Sequence, residues 1–496
     1  MRFFKSSLLF VLATILLNAG SGASSEIGPR VGATLTPTET QADFDLLRQA
    51  LEEAHTGLYR YVRKIEMDRA FEVQRIKLSQ PMTKADFLAV LTETLAQIRC
   101  GHTQLTFDEE TRSELANTGM FPLKILVEGQ RLMVYSNDTP NNQTIRPGME
   151  IIEINGRKSS DILRLILPRL IGDADIDTGK RWRLLRTFGQ SYWLLVERTS
   201  EFTIKARDIE GKTTTVKLAG VLDSERRKNW DQNPVNAEMR ASLGRLQWSR
   251  DNVGLRFLKE PEIAEIRIDG FRGEDYPQRI EQAFRTLHKR GTKVLILDLR
   301  GNGGGNDMYG ARLVSYLTDK SFRYFDHINV KTINPSFKQY SDWDSADESR
   351  LREVVTPNPA GGYFVTAKEN PGVAEVRPAK YPFLGKVFVL IDGGTFSTAA
   401  DVCAVVHHLK RATFIGEETG GGYYGNNSGL ETTITLPYSK AKVRLPMYEY
   451  WNAVPGYAGT RRGTRPDKLV ETKAVDLLRG NDAQLDVAMK VASQAK

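Results

Sequence analysis

Cysteine is scarce: the 496 residues hold only Cys100 and Cys403. A dense disulfide scaffold is therefore excluded, and a chain of this length buries enough apolar surface to need none. The even count permits one structural bridge in an oxidising compartment. Long apolar runs are also missing. The longest, Leu8 to Leu17, falls short of the ~20 residues a membrane-spanning helix needs. No low-complexity tract or short-period repeat occurs, which argues against a fibrous or largely disordered chain. The His-Glu-x-x-His motif is absent and neither cysteine has metal-ligand spacing, so neither a metal nor a cofactor is expected. Excess charge is slight, a formal net +8. The basic clusters Arg226-Arg227-Lys228 and Arg461-Arg462 are short and lack interleaved aromatics, which excludes a nucleic-acid groove.

What is present begins with an export signal. Arg2 and Lys5 precede the apolar run, and Ser21-Gly22-Ala23 supplies the small residues of a cleavage site. Residues 1–23 are expected to be removed, leaving a mature chain of net charge +6 with no membrane span. The destination is periplasmic or secreted.

Residues from about 36 to 100 read as helices, within an N-terminal domain over 24–105. Phe44, Leu47 and Leu51 share one face, and Thr83 with Asp86 opens a helix carrying Phe87, Val90, Leu91, Leu95 and Ile98. That helix delivers the chain to Cys100-Gly101-His102-Thr103. Residues 106–222 turn to strands, including Ile151-Ile152-Glu153-Ile154 before an Asn155-Gly156 turn. A helical insertion rich in Arg, Leu and Trp interrupts them at about 159–200. Residues 222–258 are charged and linker-like. From about 260, strand and helix alternate, and Val294 to Leu299 and Lys386 to Ile391 have the unbroken apolar pattern of strands buried on both faces.

Both buried strands end in glycine-rich turns, where α/β folds gather ligands. The first is Asp298-Leu299-Arg300-Gly301-Asn302-Gly303-Gly304-Gly305. It lacks the Gly-Lys-Ser/Thr ending of a phosphate loop, and Asn306 stands where a dinucleotide loop requires glycine. The second is Asp392-Gly393-Gly394-Thr395-Phe396-Ser397-Thr398, followed by a helix. A serine at such a turn is an ordinary helix N-cap. It is also well placed as a nucleophile, because the helix N-terminus favours developing negative charge. A serine nucleophile needs a base. His407 and His408 lie about three turns along the following helix, out of reach. His55 and His288 fall on expected surface helices, and His327 follows a polar segment. His102 sits in a tight turn at a helix end.

The Arg300-Gly301 turn, Thr395-Phe396-Ser397-Thr398-Ala399-Ala400, Arg411 to Gly422 and Gly463-Thr464-Arg465-Pro466-Asp467 occur in this order. Together they resemble the C-terminal processing (tail-specific) serine peptidases. Arg146-Pro147-Gly148-Met149-Glu150 with Ile151 to Gly156 resembles a PDZ strand and turn. The resemblance implies an α/β fold: a crotonase-like (ClpP/crotonase) superhelix core over 223–496, a PDZ-like β-rich domain over 106–222, and an N-terminal helical domain over 24–105. It implies Ser397 as nucleophile, with an oxyanion hole from Thr398 and a glycine of the turn, Gly304 first and Gly303 second. The family's serine–lysine dyad is missing, because its lysine position falls on Gly422. The Gly-His-Thr turn resembles instead the branch related to the tricorn protease, which implies His102 as the base. Where that branch has a serine before its histidine, this chain has Gly101. Glu417 and Glu418 are the first candidates to orient His102, followed by Asn426 and Asp467. The implied partner is a polypeptide cleaved near its C-terminus; the alternative is a non-catalytic peptide- or lipid-binding protein on the same fold.

Overall fold

The computed structural model describes residues 31–249, 251–259 and 262–494. The expected export signal lies outside them. Among the described residues the strands form three six-stranded sheets and two two-stranded ones. The first large sheet is built on Val294–Asp298, which is buried along its whole length. It pairs in parallel with Ile263–Ile268 and Lys386–Ile391. Thr413–Gly416 and Lys468–Leu469 extend the parallel run, and Val253–Lys259 closes the other edge antiparallel. Alternation of side chains explains the unbroken apolar pattern. Leu295, Leu297, Val387 and Val389 face the main core, whereas Ile296, Phe388 and Leu390 pack with Ala488 and Ala492 on the opposite face.

Helix Lys84–Ile98 begins where the Thr83–Asp86 pattern places it, and helix Pro37–Ala54 carries the face of Phe44, Leu47 and Leu51. Thr83 Oγ1 accepts the Asp86 N–H at 3.2 Å, capping the former. Their apolar faces bury Phe44, Leu47, Leu91 and Leu95 in one cluster with Leu295, Val389 and Tyr450. The helical segment thus has no core of its own. Strand Gln104–Thr106 continues it into a second sheet, pairing antiparallel with Lys442 to Arg444. That sheet also takes in Val355–Pro357 and Tyr363–Val365.

The third sheet runs Leu123–Glu128, Arg131–Asn137, Glu150–Ile154, Glu201–Arg207 and Thr213–Ala219, antiparallel throughout. It has a separate core, where Phe121, Ile125, Val134 and Ile204 meet Leu184, Phe188 and Tyr192. The last three come from helix Asp177–Leu195, inside the sequence insertion.

One expectation changes. The linker-like segment contains helices Asp223–Gln232 and Ala237–Leu246. Buried asparagines fasten it: Asn233 Nδ2 donates to Thr139 O at 2.9 Å, and Asn236 Nδ2 donates to Asn137 O at 2.8 Å. Amide-to-backbone bonds leave no apolar period, so the pattern read as a linker. The two cysteines, for which a bridge was permitted, are both free thiols and both buried.

Candidate active site

Strand Lys386–Ile391 runs into a turn tied to its neighbour at several points. Asp392 Oδ1 accepts the N–H groups of Gly301 at 2.8 Å and Gly394 at 2.9 Å. Thr395 Oγ1 donates to Leu299 O at 2.9 Å, and the Phe396 N–H donates to Asn302 O at 2.9 Å. The two glycine-rich turns therefore form one unit. They hold Ser397 at φ 54°, ψ −132°, just before helix Thr398–His408. A non-glycine residue in such a conformation costs about 1–3 kcal/mol and persists only where its surroundings over-determine it. Ser397 occupies the N-cap position, but its side chain makes no capping bond. Its Oγ lies 3.1 Å from Nε2 of His102 instead.

His102 is brought there by the end of helix Lys84–Ile98. Arg99 turns left-handed at φ 60° and stops the helix. The Gly101 N–H donates to Asp173 Oδ1 at 2.6 Å, and the chain then enters strand Gln104–Thr106. The imidazole stacks on Phe396, ring centres 4.6 Å apart, so the residue before Ser397 supports the ring that faces Ser397. A Cβ on Gly101 would stand 2.6 Å from that phenyl ring. Burial, with Arg444 and Arg183 adding to it, pushes the imidazole down to about 3 and keeps it neutral. Its Nδ1 is buried without a hydrogen-bond partner. Such an atom costs about 1–3 kcal/mol. His55, expected on a surface helix, is buried beside this turn, with Nε2 2.8 Å from Thr103 Oγ1.

The residues expected to orient His102 lie elsewhere. Glu418 forms a two-pronged pair with Arg462 and accepts the Gly463 N–H at 2.9 Å. Glu417 lines the cleft, where burial and then Asp392 push its carboxyl up to about 7. Asn426 Nδ2 donates to Asp401 Oδ2 at 3.0 Å, and Asp467 Oδ2 accepts the Phe414 N–H at 2.7 Å. None of the four bonds to Nδ1. The Gly304 amide is also engaged, donating to Asn302 Oδ1 at 2.9 Å. Gly304 instead serves as a close-packing point: at φ +98°, a Cβ there would stand 2.6 Å from Ser397 Cβ. Gly303 lines the cleft in the same turn. The Thr398 N–H, at the start of its helix, is among the amides with no intrahelical acceptor.

Two features were invisible along the chain. Cys100, His102 and Asp173 each place one ligand-type atom within 4.8 Å of the others, all buried. Burial and the Asp173 charge raise the Cys100 thiol to about 11. The site opens into a cleft of about 2110 Å³ that also touches Leu126, Val127 and Tyr135 of the third sheet and Trp182 of the insertion helix.

Comparison with known proteins places the glycine-rich turns and Ser397 in a family. Residues 262–470 match the sequence profile of peptidase family S41. They form a peptidase family S41 domain. The domain makes the chain a serine-type peptidase. The S41 domain holds Ser397, Thr398, Gly303, Gly304, Glu417 and Glu418; His102 comes from outside it. The fold is similar to mature CPAF, with a TM-score of 0.63 at 16% identity over 92% of this chain and 96% of that one. Mature CPAF complexed with lactacystin gives 0.64 at 16% identity, covering 92% and 98%. The photosystem II D1 C-terminal processing protease gives 0.41 at 16% identity, covering 90% and 98%. No curated protein sequence matches the chain.

Proposed function

We propose that this peptidase cleaves polypeptides near their C-termini through an acyl-enzyme, with Ser397 as nucleophile and His102 as general base. The observation that carries the reading is the 3.1 Å approach of Ser397 Oγ to His102 Nε2 at a strained strand-to-helix turn. Ser397 Oγ attacks the scissile carbonyl carbon while its proton passes to Nε2. The negative charge that forms on the carbonyl oxygen meets the N–H groups of Thr398 and Gly303. Collapse of the adduct breaks the C–N bond, and Nε2 returns the proton to the leaving amine. Water, deprotonated at the same nitrogen, then hydrolyses the ester and regenerates Ser397.

The 2110 Å³ cleft suits an extended polypeptide more than a small metabolite. Its wall of third-sheet residues supports a PDZ-like module that presents the substrate's tail, beside a crotonase-like superhelix core. The basic and apolar start of the chain supports export to the periplasm or beyond. A serine-directed fluorophosphonate and a peptide library read by mass spectrometry test the reading together. Wild type is expected to be labelled and to cut, Ser397→Ala to do neither, and His102→Ala to lose about 10²–10⁴-fold in rate. Folded wild type that is neither labelled nor active would return the non-catalytic binding reading.

A further inference from the structure

A general base buried beside Arg183 and Arg444 cannot readily take up a proton unless an anion offsets the new charge. It also needs its far nitrogen protonated, so that Nε2 is free to accept from serine. Of the expected carboxylates, Glu418 is paired with Arg462, and neither it nor Glu417 bonds to His102 Nδ1.

Asp173 stands in the right place. It lies in the insertion between strands of the third sheet, after residues 167–169 and before helix Asp177–Leu195, and is 2% exposed. One of its oxygens, Oδ1, accepts the Gly101 N–H at 2.6 Å, one residue before the histidine. Its other oxygen, Oδ2, is buried without a hydrogen-bond partner, and so is His102 Nδ1. A carboxylate oxygen of Asp173 and a ring nitrogen of His102 lie within 4.8 Å of one another. The structure thus holds an orphaned carboxylate oxygen and an orphaned ring nitrogen on two buried side chains that approach within 4.8 Å. A small side-chain rotation, or one bridging water, satisfies both.

We infer that Asp173 is the positioning residue for His102, its Oδ2 taking the Nδ1–H directly or through one water, and that the element completing the catalytic arrangement is supplied by the insertion rather than by the S41 domain. This rests on the reading of Ser397 and His102 given above. Asp173 fixes the tautomer that leaves Nε2 as acceptor, and its charge supports the imidazolium formed when Ser397 gives up its proton. Gly101 fits the same arrangement, since its amide anchors Oδ1 and so aims Oδ2. Burial raises the Asp173 carboxyl to about 6, opposed by the Gly101 and Gly422 amides and then by Arg60 and Arg183. Cys100, Tyr61 and Asp401 also face it. Above that value it is a carboxylate and can support the imidazolium; below it the acid is neutral and the support is lost.

The test compares the full chain with Asp173→Asn, Asp173→Glu, His102→Ala and Ser397→Ala. In Asp173→Asn the amide oxygen can keep the Gly101 bond, which turns the NH2 group toward Nδ1 and favours the wrong tautomer. The expected result is a loss of about 10²–10⁴-fold in kcat with KM little changed. The acid limb near pH 6 should disappear from the residual activity, and Asp173→Glu should recover part of the rate. In wild type, proton NMR should show a downfield imidazole N–H that is absent from His102→Ala and from Asp173→Asn. Absence of that resonance from folded wild type would overturn the inference even if the Asn variant fails to fold. Wild-type kcat and pH profile in Asp173→Asn, with His102→Ala inactive, would overturn this inference and leave the Ser397–His102 reading standing. Full activity in His102→Ala would overturn both.

Discussion

Ser397 Oγ and His102 Nε2 lie 3.1 Å apart although 295 residues separate them along the chain. The serine is held by the paired glycine-rich turns, and the histidine by a helix end, the Phe396 ring and strand Gln104–Thr106. Because the N-terminal helices and the S41 domain share one core, the contact is built into the packing.

Gly304 bears directly on that contact. A Cβ there would meet Ser397 Cβ at 2.6 Å and the Thr398 N at 2.9 Å, at a φ of +98°. Gly304→Ala should fold with a loss of about 1–2 kcal/mol from the left-handed backbone. Its kcat/KM should fall by at least about 10²-fold as Ser397 and the Thr398 amide are displaced. Thermal unfolding and steady-state kinetics on one preparation separate the two effects; unchanged kinetics would contradict the packing role.

Neither a lysine at position 422 nor a serine at position 101 should substitute for the native arrangement. A Cβ at Gly422 would stand 2.8 Å from Tyr61 Oη and 3.0 Å from Gly425 O, so a dyad lysine has no room. His102→Ala/Gly422→Lys is expected to be as inactive as His102→Ala. Gly101→Ser should also lose activity, because its Cβ presses on the Phe396 ring that supports His102. Fluorophosphonate labelling rates give the comparison.

Glu417 makes stability depend on pH. Its carboxyl is raised from 4.5 to about 7, chiefly by burial and then by Asp392 and Glu471. Between those values the folded chain keeps a proton that the unfolded chain releases. The contribution is full below the unfolded value and is lost as pH rises through about 7. Melting temperatures measured from pH 5 to 8 should therefore decline less steeply in Glu417→Gln than in wild type.

The thiols give a direct check on the fold. Cys100 and Cys403 are buried and free. A thiol reagent should find no reactive group in the native protein and two after denaturation without reductant. Two groups missing after denaturation would mean a disulfide.

Much of this was legible from residues alone. Apolar alternation marked the buried strands, and the Thr83–Asp86 pattern marked the helix that delivers His102. Turn chemistry marked Gly301 to Gly305 and the Ser397 corner. These signals are local, set by side-chain period and by backbone conformations that few residues adopt. Only the tertiary structure decided which distant groups meet. It placed Asp173 against Gly101, 72 residues away, and sent Glu418 to Arg462. It engaged the Gly304 amide with Asn302 and merged the N-terminal helices into the central core. A buried carboxylate leaves no period in sequence; its partner is chosen by where packing leaves an unpaired donor, and packing is a property of the whole chain.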